Sequence, residues 1–250
     1  MTISIITVCF NSQNYIRDSI ESVLNQTYSH IEYIIIDGGS TDKTLDIIKS
    51  YDRRITKCIS EKDNGIYHAM NKGLQMASGD YVGILNSDDF YINNNVIEKV
   101  VDELKKKKTD CLFADLIYVE GSNPKKQVRY WESKPFIKKS FRKGWHPPHP
   151  TFFVKNDIYK KLGYFNLQFK LSADFELMLR FLEKHEISST YLPEPLIKMR
   201  LGGATNKNIR NIIIQNIECF RAFKLNNINV SVLYPAYRLF PKLTQYLKKR

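Results

Sequence analysis

The chain has 250 residues, 43% of them hydrophobic and 26% charged, which supports a folded core and excludes a disordered tail protein. Lys and Arg number 38 against 26 Asp and Glu, and the formal charge of +12 suits a polyanionic partner: nucleic acid, an anionic membrane face or phosphate groups. No run approaches the ~18–20 apolar residues that span a bilayer, and with no basic stretch before the first apolar run the N-terminus reads as no secretory signal.

The four cysteines are Cys9, Cys58, Cys111 and Cys219. They form no CxxC pair and no Cys/His cluster. They read as reduced thiols of a cytosolic protein, without a disulfide framework or a zinc site.

The first half alternates strand and helix signals. Residues 3–9 are apolar and β-rich, a buried strand. Residues 15–25 place Ile16, Ile20, Val23 and Leu24 on one helical face. Strand 31–36 stops at Asp37-Gly38-Gly39-Ser40, and Ser40 or Thr41 is expected to cap a helix over 41–51. A short strand at 57–60, a helix at 66–77, a strand at 81–85 and a helix at 96–106 follow. That spacing predicts an α/β fold with a mostly parallel central sheet flanked by helices.

The second half is less regular. Residues 112–119, 127–131 and 151–154 read as strands, 134–150 as a basic Pro-rich loop, and 156–162, 173–184 and 207–224 as helices. The tail 232–250 carries Leu233, Tyr237, Phe240, Leu243 and Leu247 on one side. Its charges are Arg238, Lys242, Lys248, Lys249 and Arg250, with no acid. One reading is a packed helix with a solvated basic end. The other is a peripheral contact with anionic lipid.

Ligands of such sheets bind beyond the carboxyl ends of the strands. Four polar loops fall there: Asn11 after the first strand, Asp37 after the second, Glu61 and Asp63 after the third, Asp88 and Asp89 after the fourth. An Asp pair at a strand end is compatible with an ordinary turn. It also suits Mg²⁺ or Mn²⁺, which take carboxylate and phosphate oxygens together. Around Asp37 the glycines let a nucleoside approach the backbone. No GxGxxG and no Walker loop occurs, so a dinucleotide site and a P-loop lack motif support.

At these residues the chain resembles family 2 glycosyltransferases, nucleotide-sugar-dependent enzymes of the GT-A fold. The matching stretches are Ile5-Ile6-Thr7-Val8-Cys9-Phe10-Asn11, Ser22-Val23-Leu24-Asn25-Gln26-Thr27-Tyr28, the run 37–44, Ser60-Glu61-Lys62-Asp63-Asn64-Gly65-Ile66-Tyr67 and Asn71-Lys72-Gly73. Asn86-Ser87-Asp88-Asp89 is similar to the family's DxD-type metal motif. His149-Pro150-Thr151-Phe152-Phe153, Gly163-Tyr164-Phe165-Asn166 and Ser172-Ala173-Asp174-Phe175-Glu176 resemble its acceptor-side segments. The resemblance spans roughly residues 3–200.

It implies a GT-A-type domain over 1–205, with a nucleotide-binding half at 1–110 and an acceptor-binding half at 111–205, then a basic helical extension at 206–250. Asp89 is implied as ligand of a divalent metal, Mn²⁺ or Mg²⁺, with His149 near the metal or diphosphate. Val8, Asn11, Asp37, Gly38, Ser40, Glu61, Asp63, Asn71 and Asp88 are implied as contacts of the nucleotide-sugar. Asp174 is implied as the general base, with Glu176 behind it. Arg200, before Gly202-Gly203, could balance the diphosphate from a lid. His146 and His149 read equally as exposed loop histidines. The sequence departs from the family at Gly38, where many relatives have a second acid, and at Asn86, where the family has the first acid of its motif.

The implied reaction is inverting transfer from a nucleotide-sugar to a glycan or lipid-linked acceptor. It belongs to surface polysaccharide synthesis, in the cytoplasm or on the inner face of the plasma membrane. No nucleic acid is expected as partner. A nucleotidyltransferase or a basic nucleic-acid-binding protein is the alternative reading.

Overall fold

The computed structural model describes residues 1–202 and 209–235. Strands β1 (Ile3–Cys9), β2 (Ile31–Asp37), β3 (Lys57–Ser60) and β4 (Tyr81–Asn86) alternate with helices α1 (Ile16–Leu24), α2 (Thr44–Lys49) and α3 (Ile66–Met76). These four strands pair in parallel in the order β3-β2-β1-β4. The two-residue strand β5 (Phe90–Tyr91) and helix α4 (Val96–Lys107) close this half.

The second half continues the same sheet. Its elements are β6 (Cys111–Val119), β7 (Gln127–Trp131), β8 (Phe153–Lys155), α5 (Asn156–Leu162), α6 (Ala173–Met178), β9 (Ser189–Arg200) and α7 (Ile209–Leu225). Strand β8 runs antiparallel between β4 and β6, while β9 runs parallel to β6. Strands β5 and β7 are antiparallel to β9 and β6. The sheet is therefore parallel in the N-terminal half and mixed in the other. Among the described residues nine strands form one sheet across residue 110, so the two expected halves share one scaffold.

Alternation along β1 separates two cores. Ile6 and Val8 face the layer built by α3, α6 and α7, whereas Ile3, Ile5 and Cys9 face the layer of α1 and α4. Helix α3 lies close on β1 because Gly73 has no side chain: a Cβ there would meet Ile6 Cγ2 at 2.4 Å.

Three expectations on elements change. Helix α2 begins at Thr44 rather than at 41, because Asp42 Oδ1 accepts from the Thr44 N–H at 2.9 Å. The helix expected over 173–184 is α-helical only to Met178 and runs on as a π-helical stretch over Leu179–Lys184. Strand β9 was not expected. Pro193 and Pro195 argue against a strand, yet the register with β6 shifts at Asp115, where Pro195 pairs, and takes up the irregularity. Within the expected extension, residues 206–208 and 236–250 lie outside the described residues, and with them most of the tail's apolar stripe and its five basic residues. All four cysteines are free thiols.

Candidate active site

The register aligns the loops. Cys9 pairs with Asp37, Asp37 with Ser60, and Val8 with Asn86, so the polar segments after β1, β2, β3 and β4 leave the sheet at one level. Side chains then tie them together. The Asn11 N–H donates to Ser40 Oγ at 2.8 Å, and Asn11 Oδ1 accepts from the Thr41 N–H at 2.9 Å. Ser12 and Ser87 share a hydroxyl bond of 2.8 Å. Gly39 makes the turn with φ +80°, a conformation that favours glycine.

Asp37 is fully buried. Its carboxylate accepts from Ser60 Oγ at 2.6 Å, from the Ser40 N–H at 3.1 Å and from the Ser40 hydroxyl. Burial and then Asp37 push the Cys9 thiol up, so it stays protonated and points at Asp37 Oδ1, 3.6 Å away. Asp37 therefore holds the loop in shape as built.

Asp63 lies beside Gly38 of that loop. Its Oδ1 meets His68 Nδ1 and Lys72 Nζ, each at 2.7 Å, and Lys72 reaches Glu61 at 2.6 Å. Asp63 Oδ2 is buried with no hydrogen-bond partner, and it lies 3.6 Å from where a Cβ on Gly38 would be. The second acid of the family would thus face Asp63, like charge on like charge.

Asp89 is fully buried, and its Oδ1 has no hydrogen-bond partner; neither has the buried Asn86 Oδ1. Asn86 Nδ2 donates to Asp89 Oδ2 at 3.2 Å. Burial and then the Asp88 charge push the Asp89 carboxyl well above its ordinary range; burial raises Asp88 too, against the pull of Arg200. Two adjacent carboxyls that stay raised despite Arg200, with one orphaned oxygen on Asp89 and another on Asn86, fit a hard divalent ion.

Arg200 is no lid residue. It ends β9, is buried, donates from Nη1 to the Asp88 carbonyl at 2.9 Å and pairs with Asp18. Its guanidinium lies over Phe90 and Tyr15, at 4.7 and 5.1 Å from the ring centres.

The turn His149–Thr151 packs on both β4 and α6, and so connects the Asp89 end to Asp174. Tyr67 Oη donates to Asp174 Oδ1 at 3.0 Å. The Tyr67 ring stacks on Phe165 at 5.4 Å, and Phe165 meets His149 edge-on at 5.4 Å. Burial pushes the His149 imidazole down, with Asp174 pulling against it, so the ring is neutral at pH 7. Among the described residues no three His, Cys, Asp or Glu form a metal-binding group, so His149 does not join Asp88 and Asp89 in one.

Three expected roles meet different surroundings. Asn71 uses both ends of its amide on the Phe165 backbone, at 2.9 Å each. Val8 packs in the core. Glu176 is buried and bound by Arg180 at 3.0 Å and Asn226 at 3.0 Å, so it is a structural anchor and not a spare base. His146 meets Trp131 and Phe175 edge-on. The sequence signalled Tyr67 and Phe165 only as parts of motifs, without a role. A cleft of about 620 Å³ between Tyr81, Leu104, Lys155 and Lys160 lies at the amino end of β4 and holds none of these residues.

The profile of glycosyl transferase family 2 matches residues 4–161. The chain belongs to this family. An uncharacterized glycosyltransferase of Rickettsia typhi is 33% identical over 217 residues, covering 82% of this chain and 66% of the relative. A Bacillus subtilis glycosyltransferase named for teichuronic acid biosynthesis is 38% identical over 115 residues, 45% of this chain and 44% of that one. The chain thus spans less than two thirds of the length of these relatives.

Solved structures share the GT-A fold. Staphylococcus aureus TarS 1-349 in complex with UDP-GlcNAc superposes with a TM-score of 0.69 at 17% identity, over 98% of this chain and 73% of TarS 1-349. The mannosyltransferase PcManGT of Pyrobaculum calidifontis, in complex with GDP-Man and Mn²⁺, gives 0.65 at 16% identity, over 98% of this chain and 69% of that one. As a family 2 glycosyltransferase the chain is an enzyme of sugar transfer. Family membership sets aside the nucleotidyltransferase and nucleic-acid readings. Among the described residues no helix is long and apolar enough to cross a membrane.

Proposed function

We propose that this glycosyltransferase moves a sugar, with inversion, from a UDP-sugar to a hydroxyl of a glycan or lipid-linked acceptor in surface polysaccharide synthesis. The observation that carries the donor side is the pair of buried oxygens without partners, Asp89 Oδ1 and Asn86 Oδ1, beside two carboxyls raised by burial. Asp89, with Asp88 and Asn86, would hold Mn²⁺ or Mg²⁺. The bound ion supplies charge that offsets the diphosphate as it leaves. Residues 1–110 would form the donor half and 111–205 the acceptor half.

The chain's own groups do the rest. The Asp63 Oδ2 atom and the 37–40 loop offer acceptors and backbone to the nucleoside. Asp174, half-buried and steadied by Tyr67, takes the proton of the acceptor hydroxyl as its oxygen attacks the anomeric carbon. The bond from that carbon to the diphosphate oxygen breaks, its electron pair leaves with the nucleotide, and attack from the opposite face inverts the centre. The UDP-GlcNAc complex of TarS and the teichuronic acid name of the Bacillus relative support a UDP-sugar and a polysaccharide product.

A thermal-shift panel of UDP-, GDP- and dTDP-sugars with and without Mn²⁺ tests the reading. Stabilisation by UDP-sugars that depends on Mn²⁺ is expected. No shift with any nucleotide, with or without metal, would overturn it.

A further inference from the structure

Helix α7 is apolar on two faces. Cys219, Ala222 and Phe223 are fully buried against the core. On the outer side, Ile213 is 55% exposed and Ile217 63%, with the half-buried Phe220 one turn on and the exposed Ile212 beside them. The spacing 213, 217, 220 is one helical stripe. A row of this kind facing water marks an interaction surface.

The charge around it identifies the partner. From residue 209 to the end, the sequence holds eight Lys and Arg and one acid, Glu218. That acid is buried, and its carboxylate accepts from the Lys170 and Leu171 N–H groups at 2.8 and 2.9 Å. Arg210, Arg221 and Lys224 on the helix are exposed, as is Lys170 beside it. A second copy of the chain would bring the same cations against these.

We infer that the outer face of α7 docks on an anionic lipid bilayer, with Ile213, Ile217 and Phe220 entering the interface and the surrounding cations meeting lipid phosphates. The same helix anchors the segment that leads to Asp174. Besides the Glu218 bonds, Ser172 Oγ donates to the Gln215 carbonyl at 3.3 Å and Arg221 donates to Gln168 at 2.8 Å. Docking would therefore hold the acceptor side of the enzyme at the membrane surface. The inference rests on this face alone and its readout is binding, so it stands or falls separately from the transferase reading.

Vesicle flotation of the full chain tests it, with phosphatidylcholine alone and with about one third phosphatidylglycerol. Binding to the anionic vesicles that weakens at high salt is expected, at least about tenfold above neutral vesicles. The double variant Ile213→Asp/Ile217→Asp should lose about tenfold or more in binding, with its melting temperature unchanged. Ile217→Trp gives a second measurement: its added emission should be quenched by brominated lipid in the anionic vesicles. The inference is overturned if the wild type does not float, if the double variant binds like the wild type, or if the added tryptophan is not quenched. A dimer in solution that the double variant dissociates would also overturn it, since the face would then belong to a second copy.

Discussion

The Tyr67 hydroxyl donates to Asp174 Oδ1 at 3.0 Å and so links α3, in the N-terminal half, to the first turn of α6 in the C-terminal half. Burial and then the Asp174 charge push the Tyr67 phenol well above its ordinary value, which keeps the proton on the donor. The bond fixes where the carboxylate points. Tyr67→Phe keeps the ring on Phe165 and removes only the donor. Its kcat should fall about tenfold, the worth of one such bond, while donor affinity stays within twofold. Steady-state kinetics with a donor titration checks this; an unchanged kcat would show the bond to be incidental.

Asp89 makes a prediction about stability as well as binding. A carboxyl raised in the folded state binds more protons folded than unfolded. Its ionisation therefore subtracts stability as pH climbs past the ordinary value of 3.8. Without metal, Asp89→Asn should melt about 2–5 °C above the wild type at pH 7, with the gain vanishing at low pH. Saturating Mn²⁺ should raise the wild type and leave the variant unmoved. A metal-dependent shift that survives in Asp89→Asn would remove this residue from the cation site.

Glu32 works in the opposite direction. It receives Lys57 Nζ at 2.7 Å, Ser4 Oγ at 2.6 Å, and the Ser78 N–H and Oγ at 2.7 and 2.8 Å, stitching β1, β2 and β3 to the turn after α3. Burial opposes its ionisation, but these partners outweigh burial and hold the carboxyl at about 2, below the ordinary 4.5. Its stabilisation is full above the ordinary value and lost as pH falls toward 2. Glu32→Gln should cost about 2 kcal/mol at pH 7, and the gap should close on acidification through that window. Urea midpoints at several pH values measure it; a gap independent of pH would contradict the assignment.

How much of this was legible differs by element. The strands of the N-terminal half were readable because each is a short run that ends in a turn motif, and the order of the motifs carried the family. Strand β9 was hidden by Pro193 and Pro195, since a strand with two prolines is readable only once its neighbour's bulge is known. Asn71 was placed by motif among the nucleotide contacts. That its amide clamps Phe165, 94 residues away, is a tertiary fact with no local signal. Arg200 looked like a loop cation for the same reason, because its partners Asp18 and Asp88 lie far off in the chain.

Glu176 and Asp174 sit two residues apart in one helix with different tasks. Glu176 binds Arg180, and Arg180 in turn donates to the carbonyls of Gly163 at 3.1 Å and Tyr164 at 2.7 Å, next to Phe165. Glu176→Ala leaves that half-buried cation without its carboxylate, which should cost about 3 kcal/mol in denaturant unfolding. A variant as stable as the wild type would mean the anchor is dispensable.

The central claim is that Asp174 removes the acceptor's proton while the donor is held elsewhere. The most direct measurement pairs transfer rate with donor affinity in Asp174→Asn, using a UDP-sugar, Mn²⁺ and a hydroxyl acceptor. Transfer should drop at least about a thousandfold, with the donor dissociation constant within twofold and the melting temperature unchanged. Turnover within tenfold of the wild type would contradict the account.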